Sequence, residues 1–305
     1  MKILIATQKP FSKVAVDQIM EIAKKNGHEI AALEKYADEA ELCKAVADVN
    51  ALIVRSDKVT KEVIAAAPQL KIVVRAGAGF DNLDLAACTE KGIVAMNTPG
   101  QNSNAVAELA MGLMIMMARN QYTPGTGREL KGKTLGIQAY GNVGRLVAAH
   151  AKSFGMNIMA FDPFIPAEKI KEDGVEVAAN LEELYSKSDY LSLHIPATPQ
   201  TKGSIGYELV SKMPKGACLV NTARKEVIDE AGLLKILNER EDLKYVADVA
   251  PDALEDFKKL DIRFFATPKK MGAQTQEANI NAGVAAANQI CDFFATGNRK
   301  FQLNK

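Results

Sequence analysis

Short apolar runs recur along this chain, and between them apolar residues return every three or four positions. Runs such as Leu52-Ile53-Val54 and Ile72-Val73-Val74 are brief and rich in β-branched residues, the signature of parallel strands buried on both faces. The pattern predicts strands over Lys2–Ala6, Glu29–Leu33, Ala51–Val54, Lys71–Arg75 and Ile93–Met96. Helices are expected between them over Val14–Lys25, Glu39–Ala47, Ile64–Ala67 and Leu85–Lys91. A second series of strands follows: Thr134–Gln138, Asn157–Phe161, Tyr190–His194, Cys218–Asn221, Tyr245–Val249 and Arg263–Ala266. Asn102–Arg119 reads as one long helix, apolar on most of its circumference and therefore a buried connector between lobes. Gln121–Gly127 reads as a loop. The helix from Glu277 to Phe294 has no strand after it, and the tail is expected to return to the first domain. Strand-helix alternation of this kind defines an α/β chain with doubly wound sheets.

Composition narrows the function classes. At 305 residues, two domains are expected, and 48% hydrophobic with 25% charged residues suits a chain with a full core. A net charge of +1 argues against a broad basic field for nucleic acid. No apolar run reaches the ~20 residues that span a bilayer, so no membrane partner is expected. The N-terminus looks like a first strand rather than a signal peptide. Cys43, Cys88, Cys218 and Cys291 are scattered, which fits free thiols in a reducing cytoplasm. Three histidines make a histidine-rich metal site unexpected, and no metal is assigned.

The most informative stretch is residues 132–144, Gly-Lys-Thr-Leu-Gly-Ile-Gln-Ala-Tyr-Gly-Asn-Val-Gly. An apolar strand enters a glycine turn, a helical pattern opens at Arg145, and the next strand ends in Asp162. That order is a dinucleotide-binding pattern, with the acid about twenty positions past Gly141, where it can accept hydrogen bonds from a ribose. Gly141, Asn142, Val143 and Gly144 would meet the pyrophosphate at a helix N-terminus. The first glycine of the usual G-x-G-x-x-G is Ala139 here, so the turn is expected to avoid a positive φ at that residue. Asp162 favours NAD over NADP, because a carboxylate repels a 2′-phosphate.

Several further motifs accompany the turn: Arg75-Ala76-Gly77-Ala78-Gly79-Phe80-Asp81-Asn82-Leu83-Asp84, Asn102-Ser103-Asn104-Ala105-Val106-Ala107-Glu108, Ser192-Leu193-His194-Ile195-Pro196, Val220-Asn221-Thr222-Ala223-Arg224 and Gly272-Ala273-Gln274-Thr275-Gln276-Glu277-Ala278. Together they resemble the D-2-hydroxyacid dehydrogenases, most closely the short phosphoglycerate dehydrogenases. The resemblance implies a Rossmann-type NAD domain, residues 99–276, inserted into a flavodoxin-like substrate domain, residues 1–98 and 277–305. It implies oxidation of D-3-phosphoglycerate by hydride transfer to NAD, at the start of serine synthesis, in a homodimer. Arg224 then matches the arginine that grips the substrate carboxylate and polarises the reacting oxygen. Ala78 and Gly79 match the loop whose N–H groups hold the same carboxylate. His194, Pro196, Thr222, Ala223 and Asp248 match positions around the cofactor, although His194 also fits a satisfied buried histidine at a strand end. Arg55, Ser56 and Asn102 match the substrate-phosphate contacts; Asn102 also fits a helix cap.

The sequence departs from the family's pattern at its acid-base site. The expected histidine is replaced in Thr267-Pro268-Lys269-Lys270-Met271-Gly272, a run one residue longer than usual. Counting back from Gly272 selects Lys270; counting forward from Pro268 selects Lys269. A lysine base predicts that oxidation runs best at alkaline pH. The glutamate that would partner the base reads Ala253, with Asp252 and Glu255 nearby. Asn120–Leu130 is shorter than the family's usual segment, which often contributes to dimer contacts. No regulatory domain is expected, and so no serine feedback through one. Two rival functions remain open: a glyoxylate or hydroxypyruvate reductase, and an inactive NAD-sensing binding protein.

Overall fold

The computed structural model describes residues 1–304, and the chain divides into two compact units. One comprises Met1–Asn102 with the segment from Thr275 onward; the other is Ser103–Gln274. Among the described residues no helix is long and apolar enough to cross a membrane.

The first unit alternates β1 (Lys2–Thr7), α1 (Lys13–Lys25), β2 (Glu29–Glu34), α2 (Glu39–Ala45), β3 (Ala51–Val54), α3 (Lys61–Ala65), β4 (Ile72–Arg75), α4 (Leu85–Glu90) and β5 (Val94–Asn97). Ser12, Asp38, Thr60 and Asp84 cap the four helices, each accepting an N–H from the first turn. All pairings are parallel, in the order β2-β1-β3-β4-β5, which is the flavodoxin-like arrangement. Alternating side chains divide the core. Leu4, Leu52, Val54 and Val73 join one apolar layer, whereas Ile3, Ile5, Ile53 and Val74 join the other.

The second unit opens with α5 (Ser103–Ala118) and continues through β6 (Thr134–Gln138), α6 (Asn142–Ser153), β7 (Asn157–Phe161), α7 (Ala167–Glu172) and β8 (Glu176–Val177). It then runs through α8 (Leu181–Lys187), β9 (Tyr190–Leu193), α9 (Tyr207–Val210), β10 (Cys218–Asn221), α10 (Glu230–Glu239), β11 (Lys244–Ala247), α11 (Leu254–Lys258) and β12 (Phe264–Ala266). Its seven strands lie in the order β12-β11-β10-β9-β6-β7-β8, a Rossmann arrangement with β6 at the reversal of strand order. Ligands in such sheets bind outside the carboxyl ends of the strands at that reversal. The helix α12 (Gln276–Thr296) returns to the first unit and covers α1, β3 and β4.

The long helix α5 falls in the second unit, packed on α6 and β10 with Asn104, Glu108 and Gly112 exposed one turn apart. One reading of the sequence is corrected and another is extended. Helix α6 starts at Asn142, inside the glycine motif, because the turn rather than apolar periodicity launches it. The tail adds more than a return, since Leu303 N–H donates to Ala95 O at 2.8 Å and Gln302 pairs antiparallel with Met96.

Asn304 seals that edge. Its buried carboxamide accepts Ala95 N–H at 2.8 Å and donates to Ile93 O at 2.8 Å and Thr89 Oγ1 at 3.2 Å. Asn304→Ala strands an N–H and a carbonyl, each worth ~1–3 kcal/mol when buried and unpaired. Urea unfolding should therefore show a loss of about 2–6 kcal/mol; a loss below about 0.5 kcal/mol would show that water satisfies the strand end instead.

Candidate active site

The glycine turn joins β6 to α6 at the carboxyl edge of the second unit's sheet. Ala139 N–H donates to Phe161 O at 2.9 Å, extending the β6–β7 ladder by one residue. Ala139 then adopts φ +78°, which corrects the expectation that alanine would force a turn without positive φ. The strand pairing on one side and the helix on the other hold the residue there. A Cβ on Gly144 would collide with the Ala139 carbonyl oxygen, so only glycine lets α6 approach the turn. Gly141 has open space around its α-carbon, and as N-cap it gives no side-chain bond to the first turn of α6. The leading N–H groups of a twelve-residue helix are thus left for an anion, as a pyrophosphate requires.

Asp162 braces this turn. Oδ2 accepts Tyr140 N–H and Oδ1 accepts Phe164 N–H, both at 2.8 Å. Each oxygen keeps acceptor capacity for a ribose hydroxyl. The uncapped helix, the open Gly141 and the half-used carboxylate together fit a dinucleotide. Phe164 beside them is 90% exposed, so the strand-end loop also offers an apolar face.

His194 and Thr222 meet at the ends of β9 and β10. Ser192 Oγ lies 2.9 Å from His194 Nε2, and Thr222 Oγ1 lies 3.4 Å from Nδ1. Burial pushes this imidazole down to about 3, so it stays neutral and moves no proton near pH 7. Pro196 is exposed on the loop beyond, its carbonyl accepting Thr201 Oγ1 at 2.5 Å.

Arg224 follows β10 on a turn clamped by a residue to which the motif alone assigned no role. The buried Asn221 carboxamide accepts Ala223 N–H and donates to Arg224 O, both at 3.0 Å. The Arg224 guanidinium has no carboxylate partner among the described residues. Lys270 comes to the same turn, where its ammonium donates to the carbonyls of Ala223 and Thr222. Burial first, and the Arg224 charge second, lower its pKa to about 8, against an opposing pull from Asp248 and Glu226. Lys269 is exposed, and its carbonyl accepts Thr267 Oγ1 at 2.8 Å. The two loop lysines are therefore not equivalent: only Lys270 joins Arg224.

Asp248 holds the loop that follows β12. Its carboxylate, 1% exposed, accepts Thr267 Oγ1 at 2.9 Å, Met271 N–H at 2.6 Å and Gly272 N–H at 2.8 Å. The carboxylates near Ala253 are committed elsewhere. Asp252 pairs with Lys225, and Glu255 pairs with Lys258 at 2.8 Å. Ala253 N–H and Asp252 N–H both donate to Glu230, at 2.8 and 2.9 Å. In the sequence Glu230 looks like an ordinary first-turn acid of a helix, which hides this clamp.

The remaining candidates lie in the first unit, at the carboxyl ends of β3, β4 and β5. Arg55 donates to Lys9 O at 3.1 Å, Pro10 O at 3.0 Å and Asn279 Oδ1 at 2.5 Å, and lies over the Phe11 ring. Ser56 is exposed. Arg75 Nε–H donates to Arg55 O at 3.0 Å, and its guanidinium lies against Gly77, which has φ +148° and no room for a Cβ. Ala78 is exposed, its carbonyl accepting Asn97 Nδ2 at 2.6 Å; Gly79 is partly buried. Asn102 is partly buried in the turn just before α5.

The profile of the D-isomer specific 2-hydroxyacid dehydrogenase NAD binding domain matches residues 104–266. A D-3-phosphoglycerate dehydrogenase of Methanocaldococcus jannaschii is 42% identical over 267 residues, covering 82% of this chain but 51% of that one. The chain thus spans about half that relative's length. A hydroxypyruvate reductase of Thermotoga maritima is 36% identical, covering 92% of this chain and 95% of its own. The crystal structure of NAD⁺-bound 3-phosphoglycerate dehydrogenase of Entamoeba histolytica is 51% identical, with a TM-score of 0.88 and coverage of 100% and 99%. The fold and the turn define a dinucleotide-binding α/β protein. The chain belongs to the D-isomer specific 2-hydroxyacid dehydrogenase family and carries that family's NAD-binding domain.

The left-handed alanine gives a direct test. A non-glycine residue there costs ~1–2 kcal/mol, partly offset by the ~0.5–1 kcal/mol of extra entropy that glycine loses on folding. Ala139→Gly should raise stability in thermal unfolding by about 0.5–1 kcal/mol; a loss of stability would mean that the methyl's packing outweighs the backbone term.

Proposed function

We propose that the chain is an NAD-dependent D-2-hydroxyacid dehydrogenase that oxidises D-3-phosphoglycerate to 3-phosphohydroxypyruvate. One observation carries the reading: a partly buried ammonium of lowered pKa beside a guanidinium with no carboxylate partner, in the same unit as the glycine turn. Two such cations attract a substrate carboxylate, and one of them can exchange a proton near neutral pH. The phosphorylated substrate is supported by Arg55, Ser56 and Asn102 and by the archaeal and amoebal relatives.

Bound NAD supplies the hydride acceptor. The chain's own groups do the rest. The first turn of α6 takes the pyrophosphate, and Asp162 takes the ribose hydroxyls. Arg224 grips the substrate carboxylate through its planar fork and polarises the oxygen on C2. Lys270 Nζ, as the free amine, removes the hydroxyl proton as the C2–H bond breaks. In the reverse direction the ammonium returns that proton to the keto oxygen. Asp248 holds the 267–272 loop that sets the amine in place.

A second reading, reduction of hydroxypyruvate, is favoured by two facts. The Thermotoga relative matches over nearly its whole length, and Arg55 already donates to three protein oxygens. Arg55→Ala distinguishes the two. It should raise KM for the phosphorylated substrate by about 10- to 100-fold and leave hydroxypyruvate little changed. Equal losses for both would assign Arg55 to the fold through Asn279.

The pH dependence follows from Lys270. Its free-base fraction rises as pH climbs toward about 8. In the oxidation direction kcat/KM should increase about tenfold per pH unit on the acid side and level off above it. Reduction should show the mirror image, falling above that point. The rising limb should vanish in Lys270→Met and persist in Lys269→Met; the opposite result would move the base to Lys269.

A further inference from the structure

The amino edge of the second unit's sheet, opposite the glycine turn, holds a cavity of about 240 Å³. Tyr190, Cys218 and Lys244, the first residues of β9, β10 and β11, line it, and Arg128, Thr126 and Gly216 also contribute. None of these groups serves the chemistry proposed above.

Its charges are unusual. Lys244 Nζ is partly buried and donates to Met117 O and Asn120 Oδ1, both at 2.8 Å. Arg128 lies against Gly216 and donates to its carbonyl at 3.3 Å. Neither cation has a carboxylate partner among the described residues. The one carboxylate on the lining, Asp242, is already paired with Arg240 at 2.7 Å and accepts Gly216 N–H at 2.7 Å. Burial lowers the Lys244 pKa against an opposing pull from Cys218, and the Arg128 charge lowers it further, so the two cations repel across the cavity. Tyr190 OH has no hydrogen-bond partner among the described residues and is not sealed from the cavity it lines.

The wall is built at a cost. Asn120, Gln121 and Tyr122 have φ values of +52°, +55° and +61°, three consecutive left-handed residues without a glycine. Each costs ~1–2 kcal/mol, and backbone strain of that kind collects at ligand sites. Here it sets the Asn120 carboxamide between Lys244 and Thr126 O, to which it donates at 3.1 Å.

We infer that this cavity is an anion site for a phosphate group, either free phosphate or that of a small phosphorylated metabolite, with Arg128 at the mouth and Lys244 at the floor. A guanidinium fork, an ammonium and a phenol hydroxyl supply the convergent donors that a tetrahedral dianion needs. The volume lies below the ~300–1,000 Å³ of drug-sized pockets, which excludes a dinucleotide.

The test is calorimetric titration of the full chain with inorganic phosphate, with chloride holding ionic strength constant. One saturable site per chain is expected, present in Arg55→Ala and weakened at least about tenfold in Arg128→Ala. Arg128 is exposed, so that variant should fold, with a circular dichroism melt as control. Lys244→Met should lose the site as well. The same titration with glycerol 2-phosphate separates the sources: equal affinity points to the phosphate group alone, and tighter binding points to a metabolite. The inference is overturned if phosphate does not saturate in the millimolar range, if Arg128→Ala binds like the parent, or if Arg55→Ala abolishes binding. In those cases the two cations only neutralise the carbonyl end of α5. NADH binding, followed by fluorescence, should be unchanged in Arg128→Ala, so this result stands apart from the assignment of the active site.

Discussion

The buried carboxylate of Asp248 is the interaction on which the candidate chemistry depends. It gathers one hydroxyl and two backbone N–H groups from the 267–272 segment, which would otherwise be an unsupported loop after the last strand. Held this way, the loop can turn only one of its two adjacent lysines inward. Lys270 reaches the carbonyls of the Arg224 turn, while Lys269 is left in solvent. The Arg224 turn is itself held by the Asn221 carboxamide. Two short polar side chains at the ends of neighbouring strands thus fix both cations without touching either charge. Preorganisation of this sort avoids paying in flexibility at the moment of reaction.

The glycine turn shows the same economy under strain. An alanine at φ +78° is unfavourable, yet its neighbours leave no alternative: its N–H continues the β6–β7 ladder, and its carbonyl backs directly onto Gly144. Asp162 then ties the next N–H, that of Tyr140, to the end of β7. A carboxylate expected to serve only a ligand therefore also closes the turn. This double use explains how the motif tolerates the loss of its first glycine.

How much of this could be read in the residues follows from physical range. Buried strands such as β3, β6, β7 and β10 were bounded correctly because each is a short, mostly apolar run too brief for a helical period. Helix α6 was placed too late, since a helix that starts on a turn's geometry has no apolar stripe at its first residues. Lys270 could be found by counting from Gly272, but its burial and its nearness to Arg224 are tertiary facts. The position of Asp248 at a strand end is visible in the residues, but its loop partners, about twenty residues on, are not. Glu230 was missed for the same reason. The left-handed turn at 120–122 has no glycine or run of asparagines to announce it, so it read as a plain loop.

The two departures from the family's pattern, lysine for histidine and alanine at 253 for glutamate, are physically one. An imidazole titrates near neutrality by itself, and a nearby carboxylate stabilises the cation that it forms. A lysine starts near ~10.4 and has to be brought down before it can act as a base. Burial and the Arg224 charge do this, reaching about 8 against the opposing pull of Asp248 and Glu226. A further carboxylate beside the amine would raise it again and keep it protonated. In this structure the acids near position 253 are directed away: Asp252 to Lys225, Glu255 to Lys258, Asp256 to Lys259, and Glu230 to the backbone of the loop itself. Restoring the glutamate without restoring the histidine should therefore weaken the proposed base rather than repair it, because the partner that suits an imidazole is the wrong partner for an amine.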